Sequence, residues 1–264
     1  MTGSVRVRTA SDAAVAEVPG HVFRVLADGG STGGRYSLTE ATSPVGAFVP
    51  PHVHRGAVEC FYVLDGDYRL TVSGRVHEAG PGGFLLVPRG AAHQFEVIGS
   101  RLARAVVIFS PAGFEACFLA MPEIFGTQGE PGPLWERANL DQDTVLLAPD
   151  ATHPVGPDAV SVAAGQPGSA TSLATPAHTL TGLAITRHQL PRGRAWPAGD
   201  AAAAWVLTGA LRIESAAGDI TARPGQLVTF EATAAPGRAV ALTEPTTLLV
   251  LSTSRDMTIT AETP

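Results

Sequence analysis

The sequence predicts an all-β protein built from two tandem β-barrels that are joined by a short, partly helical segment. One observation is composition: the 264 residues include 29 Gly and 21 Pro, which break helix interiors but suit the turns between short strands. Another is pattern, because β-branched and aromatic runs such as residues 61–64, 85–87 and 106–109 alternate with these turn residues. Short strands with frequent turns are typical of barrels and sandwiches. The third observation is an internal repeat.

The repeat becomes visible when the chain is shifted by 143 residues. The residues that then superpose on an identical residue are Val63, Leu64, Gly66, Arg69, Pro81 and Gly82, which meet Val206, Leu207, Gly209, Arg212, Pro224 and Gly225. A repeat on this scale indicates that one structural unit occurs twice. We therefore predict a first barrel over residues 20–110 and a second barrel over residues 178–253.

Residues 111–177 differ from both copies and are predicted to form the connector. Phe114, Phe118 and Met121 recur at helical spacing, so a helix that packs on the first barrel is expected near residues 112–120. Residues 134–140 predict a further helical turn or two. The rest, up to residue 176, is rich in Gly, Pro, Ala, Ser and Thr, as in a linker.

Charge and cysteine content exclude several functions. The net charge is −6 without basic runs, so neither a nucleic-acid nor a membrane partner is expected. All 18 basic residues are Arg, which excludes a Schiff-base lysine and the lysine of a phosphate-binding P-loop. Cys60 and Cys117 form no metal-binding or disulfide pattern. With no apolar leader or membrane-length segment near the N-terminus, a reducing, cytoplasmic location is expected.

Candidate metal ligands are concentrated in the first copy. His52 and His54 are two residues apart, so on a strand their side chains share a face. Glu59 follows after a turn and can return on the neighbouring strand, and His93 supplies a third imidazole behind a Pro-Gly turn. Three nitrogens and one carboxylate oxygen suit one borderline divalent ion and leave positions open for other ligands. An open site of this kind indicates catalysis, because structural sites are closed.

These spacings resemble the two sequence motifs of the cupin superfamily. The first motif is matched by Gly46, five residues, His52-Val53-His54, four residues, Glu59, six residues and Gly66. The second is matched by Gly82, five residues, Pro88, one residue, Gly90, two residues and His93, with Val97 where the family pattern ends in Asn. The resemblance implies jelly-roll barrels and assigns His52, His54, Glu59 and His93 as metal ligands.

The second copy lacks these ligands, so we expect one metal ion per chain. At the same offset the four ligand positions fall on Ala195, Pro197, Ala202 and Pro236, and none of these side chains can bind a metal ion. The chain thus resembles a two-cupin protein with one live centre. Its degenerate second barrel would be kept for packing, for forming a homodimer or for closing the pocket.

Strand alternation also predicts what surrounds the candidate metal site. Counting by two from the ligands directs Phe48, Phe61, Val63 and Phe95 inward, and Tyr36 is placed with them from the preceding strand. These side chains form either an apolar substrate pocket or ordinary barrel core. An open pocket of this composition suits an aromatic small molecule better than oxalate or a sugar phosphate, which would require inward Arg.

Residues 32–36, 52–66 and 110–118 are similar to bacterial quercetinase-like cupins. This similarity implies a metal-dependent dioxygenase that acts on an enolic or phenolic aromatic molecule, with iron, nickel, manganese, cobalt, copper or zinc as the ion. Glu59 is then either a ligand alone or a ligand that also removes a proton from the substrate. Two alternatives stay open: an oxygen-independent cyclase, isomerase or lyase that uses the metal as a Lewis acid, and a non-enzymatic binding cupin, because one fold hosts many activities.

Overall fold

Strands dominate the computed structural model of the chain. It describes residues 5–125, 144–147, 156–163, 170–179, 182–196, 201–214, 218–230 and 238–253. The chain divides into a first unit, residues 13–165, and a second unit, residues 1–12 with 166–264. The N-terminal strand β1 (Val5–Arg8) and the 3₁₀ turn Ala10–Asp12 therefore belong to the second unit.

The first unit is a two-sheet jelly roll. Its strands are β2 (Ala14–Val18), β3 (His21–Ala27), β4 (Ser37–Ser43), β5 (Phe48–His54), β6 (Val58–Asp65), β7 (Asp67–Val72), β8 (Arg75–Ala79), β9 (Phe84–Val87), β10 (His93–Ile98), β11 (Ala103–Ser110), β12 (Thr144–Leu146) and β13 (Val160–Val162). Among the described residues one sheet has the order β13-β9-β6-β11-β4-β3-β2 and the other has the order β12-β5-β10-β7-β8. All pairs between these strands are antiparallel.

The two sheets enclose the core of the first unit. Phe61 and Val107 come from one sheet and Leu70 from the other, and all three belong to one cluster of buried side chains. Burial of apolar side chains from both faces is the main stabilising contribution in such a sandwich. The predicted all-β class and jelly-roll architecture are confirmed.

A glycine fixes the tight turn between β6 and β7. Gly66 has a φ of +70°, and a Cβ atom at this position would lie 2.6 Å from the Cα atom of Ala103. Gly209 is its counterpart in the second copy: its φ is +77°, and a Cβ there would lie 2.5 Å from the Thr243 hydroxyl. Only glycine meets both requirements, which explains why the repeat retains it.

The predicted helix in the connector is present. Helix α2 (Glu115–Phe125) follows the short helix α1 (Gly29–Thr32) in the chain order, and its Phe118 and Met121 side chains are buried in the core of the first unit. Glu115 ties the two helices together, because its carboxylate accepts a hydrogen bond from the Gly29 N–H at 2.8 Å. The helical turn predicted for residues 134–140 lies outside the described residues.

Two strands from the segment that follows α2 complete the first unit. β12 pairs with β5, and β13 pairs with β9, so the segment extends both sheets. Its composition indicated only loop or linker. The strands are three residues long, and such short runs carry little periodic signal.

The second unit repeats the sheet arrangement. Its further elements are β14 (Thr171–Ala174), α3 (Pro176–Thr179), β15 (Leu183–Leu190), β16 (Ala195–Trp196), β17 (Ala201–Thr208), β18 (Leu211–Ile213), β19 (Ile220–Ala222), β20 (Leu227–Phe230), β21 (Ala239–Ala241) and β22 (Thr246–Thr253). Its described strands form sheets of order β1-β20-β17-β22-β15-β14 and β16-β21-β18-β19.

Strand register confirms the 143-residue repeat. Cys60 lies opposite Leu86 and Ile108 in the first unit, and Ala203 lies opposite Thr229 and Leu251 in the second. Each residue of the second set lies 143 positions after its counterpart in the first. The β-turn contacts repeat as well, because the Gly82 N–H donates to the Val63 carbonyl and the Gly225 N–H donates to the Val206 carbonyl.

Candidate metal centre

Four predicted ligands converge between the two sheets of the first unit. His52 and His54 lie on β5 with one residue between them, so both side chains point inward. His93 begins β10 and lies directly opposite His52 in the antiparallel pair. Glu59 comes from β6 in the facing sheet. The fold therefore brings together residues that are up to 41 positions apart in the chain.

The cluster is small and shielded from solvent. One ligand atom from each of the four side chains lies within 4.8 Å of all the others. The His93 Nε2 atom is 3.0 Å and the His54 Nε2 atom 3.4 Å from Oε2 of Glu59. His52 and Glu59 are each 5% exposed, and His54 and His93 are less exposed still.

Hydrogen bonds to the Nδ1 atoms orient the imidazole rings. The Nδ1–H of His52 donates to the Pro50 carbonyl, and that of His93 donates to the Ala91 carbonyl, both at 2.9 Å. A carbonyl oxygen only accepts, so these contacts place the hydrogen on Nδ1 and turn the Nε2 atom towards the cluster. The Nδ1 atom of His54 lies 3.0 Å from the Thr144 hydroxyl, which can donate or accept, so this contact orients the ring without fixing its tautomer.

The electrostatics of the cluster fit a bound cation. Burial by itself raises the pKa of the Glu59 carboxyl, but the hydrogen bonds and charge of His54 and His93 outweigh it, so that pKa lies below its usual value. Burial lowers the pKa of His52 well below its usual value, and the neighbouring histidines lower it further. A neutral His52 imidazole thus lies beside an ionised carboxylate. The Nε2 lone pairs and the carboxylate oxygen form a donor set for one divalent transition metal ion.

Sequence reasoning missed Thr144. The residue lies on β12 opposite His54 and is 1% exposed, and it follows His54 by 90 positions. A single Thr in a segment of loop-like composition carries no motif that could have marked it. Only the pairing of β12 with β5 reveals its role.

An apolar cavity of about 460 Å³ adjoins the cluster within the first unit. His52 and Glu59 form part of its wall. The other lining residues are Val18, Pro19, His21, Phe23, Ala41, Ser43, Phe48, Val49, Pro50, Phe61, Tyr68, Phe95, Val107, Phe114, Phe118 and Met121. Neither Arg nor Asp is among them. The volume is within the range of small-molecule sites.

Three of the five predicted pocket residues line this cavity, and two do not. Phe48, Phe61 and Phe95 contact it, and Phe48 is 55% exposed, which places it at the mouth. Val63 shares the inward face of β6 but lies beyond the cavity, in the closed core. Tyr36 precedes β4 and is buried elsewhere, where its carbonyl accepts a hydrogen bond from the Thr32 hydroxyl. Alternation gives the face of a strand but not how far a cavity extends along it.

The second unit differs from the first at the positions of the ligands. The offset predicted Ala202 at the Glu59 position, but the strand register shifts between Ala201 and Ala203, and Ala201 lies opposite Ser252 as Glu59 lies opposite Phe109. Neither alanine can bind a metal ion. Ala195 does not occupy the His52 position. The Gly46 N–H donates to the Val97 carbonyl just before β5, and the Gly193 N–H donates to the Ala241 carbonyl just before β16. Gly193 is therefore the counterpart of Gly46, and β16 corresponds to the start of β5.

The cause is a deletion: the chain from Gly193 to Ala202 is four residues shorter than that from Gly46 to Glu59. Pro197 and Pro236 lie outside the described residues. Across the part of the chain that the structure describes, the group in the first unit is the only cluster of His, Cys, Asp or Glu that can hold a metal ion. The described segments also include no helix that is long and apolar enough to cross a membrane.

Comparison with known families agrees with this architecture. The family model for the cupin domain matches residues 39–109, which contain all four candidate ligands. The matched residues lie in the first unit, and the chain as a whole resembles the cupin superfamily, with a bicupin-like arrangement of two similar units. Within that superfamily, 80 residues are 31% identical to quercetin 2,3-dioxygenase of Bacillus subtilis. The match covers 30% of this chain and 24% of that enzyme, so the chain spans about a quarter of its curated relative.

Solved structures share the fold over nearly the whole chain. A bacterial pirin from Escherichia coli in complex with nickel(II) superposes with a TM-score of 0.64 and 13% identity, covering 95% of this chain and 99% of that one. Oxalate decarboxylase of Lactobacillus farciminis superposes with a TM-score of 0.63 and 14% identity, covering 94% and 86%. At these identities the comparison establishes the fold alone.

Proposed function

We propose that the protein is a metal-dependent cupin dioxygenase that acts on an enolic or phenolic aromatic small molecule. The observation that carries the proposal is a buried three-histidine, one-glutamate cluster that forms the wall of an aromatic-lined cavity. The local similarity to quercetin 2,3-dioxygenase supports the same class.

In this proposal the three histidines hold the ion through their Nε2 atoms, and Glu59 completes the set. A divalent transition metal would supply Lewis acidity and, where it is redox-active, a route for electrons between substrate and oxygen. The hydrogen bonds from Nδ1 to Pro50, Thr144 and Ala91 keep each ring turned towards the centre. Such outer contacts commonly tune metal affinity.

Glu59 has a second role in the proposal, as the base. An enolic or phenolic substrate must lose its hydroxyl proton to become electron-rich enough to react with oxygen. The Glu59 side chain lines the cavity, and hydrogen bonds from His54 and His93 hold its carboxylate ionised; in this proposal it accepts the proton within the cavity.

The cavity lining supports an aromatic substrate. Phe61, Phe95, Phe114 and Phe118 present ring faces and edges to a ligand, and aromatic side chains pack favourably against other rings. A small dicarboxylate such as oxalate would require a cationic partner in the wall. The described lining contains none, which favours an aromatic molecule.

The test combines metal analysis with oxygen consumption. The purified protein is analysed for bound metal and assayed with an oxygen electrode in the presence of quercetin and other enolic aromatics. Substrate-dependent oxygen uptake with bound iron, nickel, manganese, cobalt or copper supports the proposal. Conversion of the same compounds without oxygen uptake would support a lyase, isomerase or cyclase instead, and binding without conversion would support a binding protein.

Replacing Glu59 by Gln separates its two roles. The amide oxygen can still coordinate a metal ion but cannot accept the proton at neutral pH. Loss of a general base typically lowers turnover by about 10²- to 10⁴-fold, so turnover per bound metal should fall by that factor. Glu96→Gln, which alters an exposed carboxylate paired with Arg69, is the matched control. A Glu59→Gln protein with nearly full turnover per metal would leave Glu59 as a ligand only.

A further inference from the structure

A pair of polar side chains lies in the wall of the cavity, away from the metal cluster. The Nδ1 atom of His21 on β3 is 3.1 Å from the hydroxyl of Ser43 on β4, and both residues line the cavity. Ser43 is buried and His21 is partly buried. The remaining wall around them is apolar, including Val18, Pro19 and Phe23.

Strand register places this pair at the far end from Glu59. Glu59 lies opposite Phe109 on β11, and Phe109 lies opposite Ser37 at the start of β4. Ser43 is six residues further along the same strand. At the rise of a β-strand this separates the two levels by about 20 Å along the sheet. Because both polar groups extend into one cavity, a ligand that reaches both must be elongated.

The ring of His21 is held in place by aromatic packing. It stacks on Phe23 with a centroid distance of 5.9 Å and an interplanar angle of 9°. Phe23 in turn stacks on Phe118 of α2 at 4.8 Å. A ring fixed in this way loses little conformational entropy when a ligand binds, so a hydrogen bond to it contributes more to affinity.

The pair can serve a hydroxyl group in either direction. When the Ser43 hydroxyl donates to Nδ1, the Nε2–H of His21 is a donor; when Nδ1–H donates to Ser43, Nε2 is an acceptor. Burial lowers the pKa of His21, which favours the neutral ring that has both options. Neutral groups of this kind recognise hydroxyls and carbonyls and do not attract an anion.

We infer that His21 and Ser43 form a second polar subsite, which binds a hydroxyl group at the far end of an elongated aromatic substrate whose enolic end reaches the metal cluster. The inference rests on the proposed function and extends it to the distal part of the substrate. The subsite explains why a cavity with a largely aromatic wall contains a hydrogen-bonding pair remote from the candidate ligands. A multi-ring polyphenol has the required length and the required hydroxyl groups.

The experiment measures binding separately from turnover. Protein loaded with Zn²⁺, which is redox-inert, is titrated with a flavonol whose outer ring is extended by further rings to a terminal hydroxyl about 20 Å from the enolic oxygen, and with the same compound lacking that terminal hydroxyl. The dissociation constants are obtained from ligand fluorescence or absorbance. The two flavonols share the enolic hydroxyl and the neighbouring carbonyl and differ only in the terminal hydroxyl. Because net hydrogen bonds to neutral groups are modest, wild-type protein should prefer the hydroxyl-terminated flavonol by about tenfold.

The variants assign that preference to the pair. His21→Leu and Ser43→Ala should each weaken binding of the hydroxyl-terminated flavonol by about five- to tenfold and leave binding of its counterpart without that hydroxyl nearly unchanged. His21→Gln, which retains hydrogen-bonding capacity, should keep part of the preference. His188→Leu is the matched control, because His188 also pairs with a hydroxyl, that of Thr186, but lies in the second unit.

The outcomes distinguish this inference from the proposed function. If folded His21 and Ser43 variants weaken both flavonols equally, or neither, the subsite is refuted, while binding and oxygen uptake by the wild type would leave the proposed function intact. If zinc-loaded wild-type protein binds neither flavonol, the proposed substrate class fails, and the subsite fails with it. Circular dichroism of each variant shows that the comparison is made between folded proteins.

Discussion

The hydrogen bond between His54 and Thr144 offers a direct test of how the candidate metal centre is held. Thr144→Val replaces the hydroxyl by a methyl group of nearly the same volume, so packing at this buried position is conserved. The change removes the 3.0 Å contact to the Nδ1 atom of His54. Without that contact the ring loses a hydrogen bond that restrains its orientation towards the cluster.

The structure sets the expected magnitude. Both partners are almost fully buried, at 1% exposure for Thr144 and 4% for His54, so water cannot readily replace the hydroxyl. Loss of a buried hydrogen bond of this kind costs about 1–3 kcal/mol, which corresponds to about 5- to 150-fold in an equilibrium constant. Outer contacts of ligating histidines are typically worth about 10- to 100-fold in metal affinity. We therefore expect the dissociation constant for Zn²⁺ to rise by about 10- to 100-fold.

Competition with a chromophoric chelator at fixed pH and ionic strength measures that constant. Thr144→Ser should bind Zn²⁺ nearly as tightly as the wild type because it keeps the hydroxyl. Thr71→Val, on β7 of the same unit, controls for the exchange of Thr for Val. If Thr144→Val retains wild-type affinity while circular dichroism shows an intact fold, the hydroxyl does not orient His54 and the reasoning is wrong.

The remaining predictions concern stoichiometry, ligand loss, thiols and the first strand. Elemental analysis should find one tightly bound metal ion per chain, and two ions per chain would contradict the loss of ligands in the second copy. His93→Ala should abolish tight metal binding yet keep the β-rich circular dichroism spectrum. Loss of that spectrum would indicate that the ion is structural. Because burial raises the pKa of Cys60 and raises that of Cys117 to about 12, both thiols should resist Ellman's reagent at pH 8 until denaturant is added, and rapid labelling of folded protein would contradict this. Removal of residues 1–8 deletes β1, which pairs along β20 and packs on the core of the second unit. We therefore expect the free energy of unfolding, measured by denaturant titration, to fall by about 2 kcal/mol. Unchanged stability would show that β1 is dispensable.

The sequence contained enough information for the ligand cluster because the relevant geometry is local. Two residues of spacing place His52 and His54 on one face of a strand, and the connection to Glu59 is short enough to form a turn to the neighbouring strand. The repeat and its turn glycines were also readable, since Gly66 and Gly209 meet the same steric demand. In these cases a few adjacent residues determine the outcome.

The features that escaped prediction depend on pairing between distant segments. Thr144 contacts His54 only because β12 adds to the edge of β5, and three residues give no periodicity from which to infer a strand. His21 and Ser43 meet across β3 and β4, and neither belongs to a motif. The limit of the cavity between Phe61 and Val63 likewise depends on how tightly the core fills, which alternation does not determine.

The comparison of the two copies shows that the determinants of this fold are separate from those of its chemistry. The register of the strands around Val63 is reproduced around Val206, and both cores are built from apolar residues. Around the Glu59 position the second copy has Ala201 and Ala202, and a four-residue deletion shifts the strand that would carry the first two histidines. Burying a carboxylate among imidazoles is costly without a cation to balance it, whereas a small apolar residue at the same place has no such cost. The second barrel could therefore lose its ligands without losing its structure, while the first retains four buried polar side chains that stabilise one another and form a donor set for a metal ion.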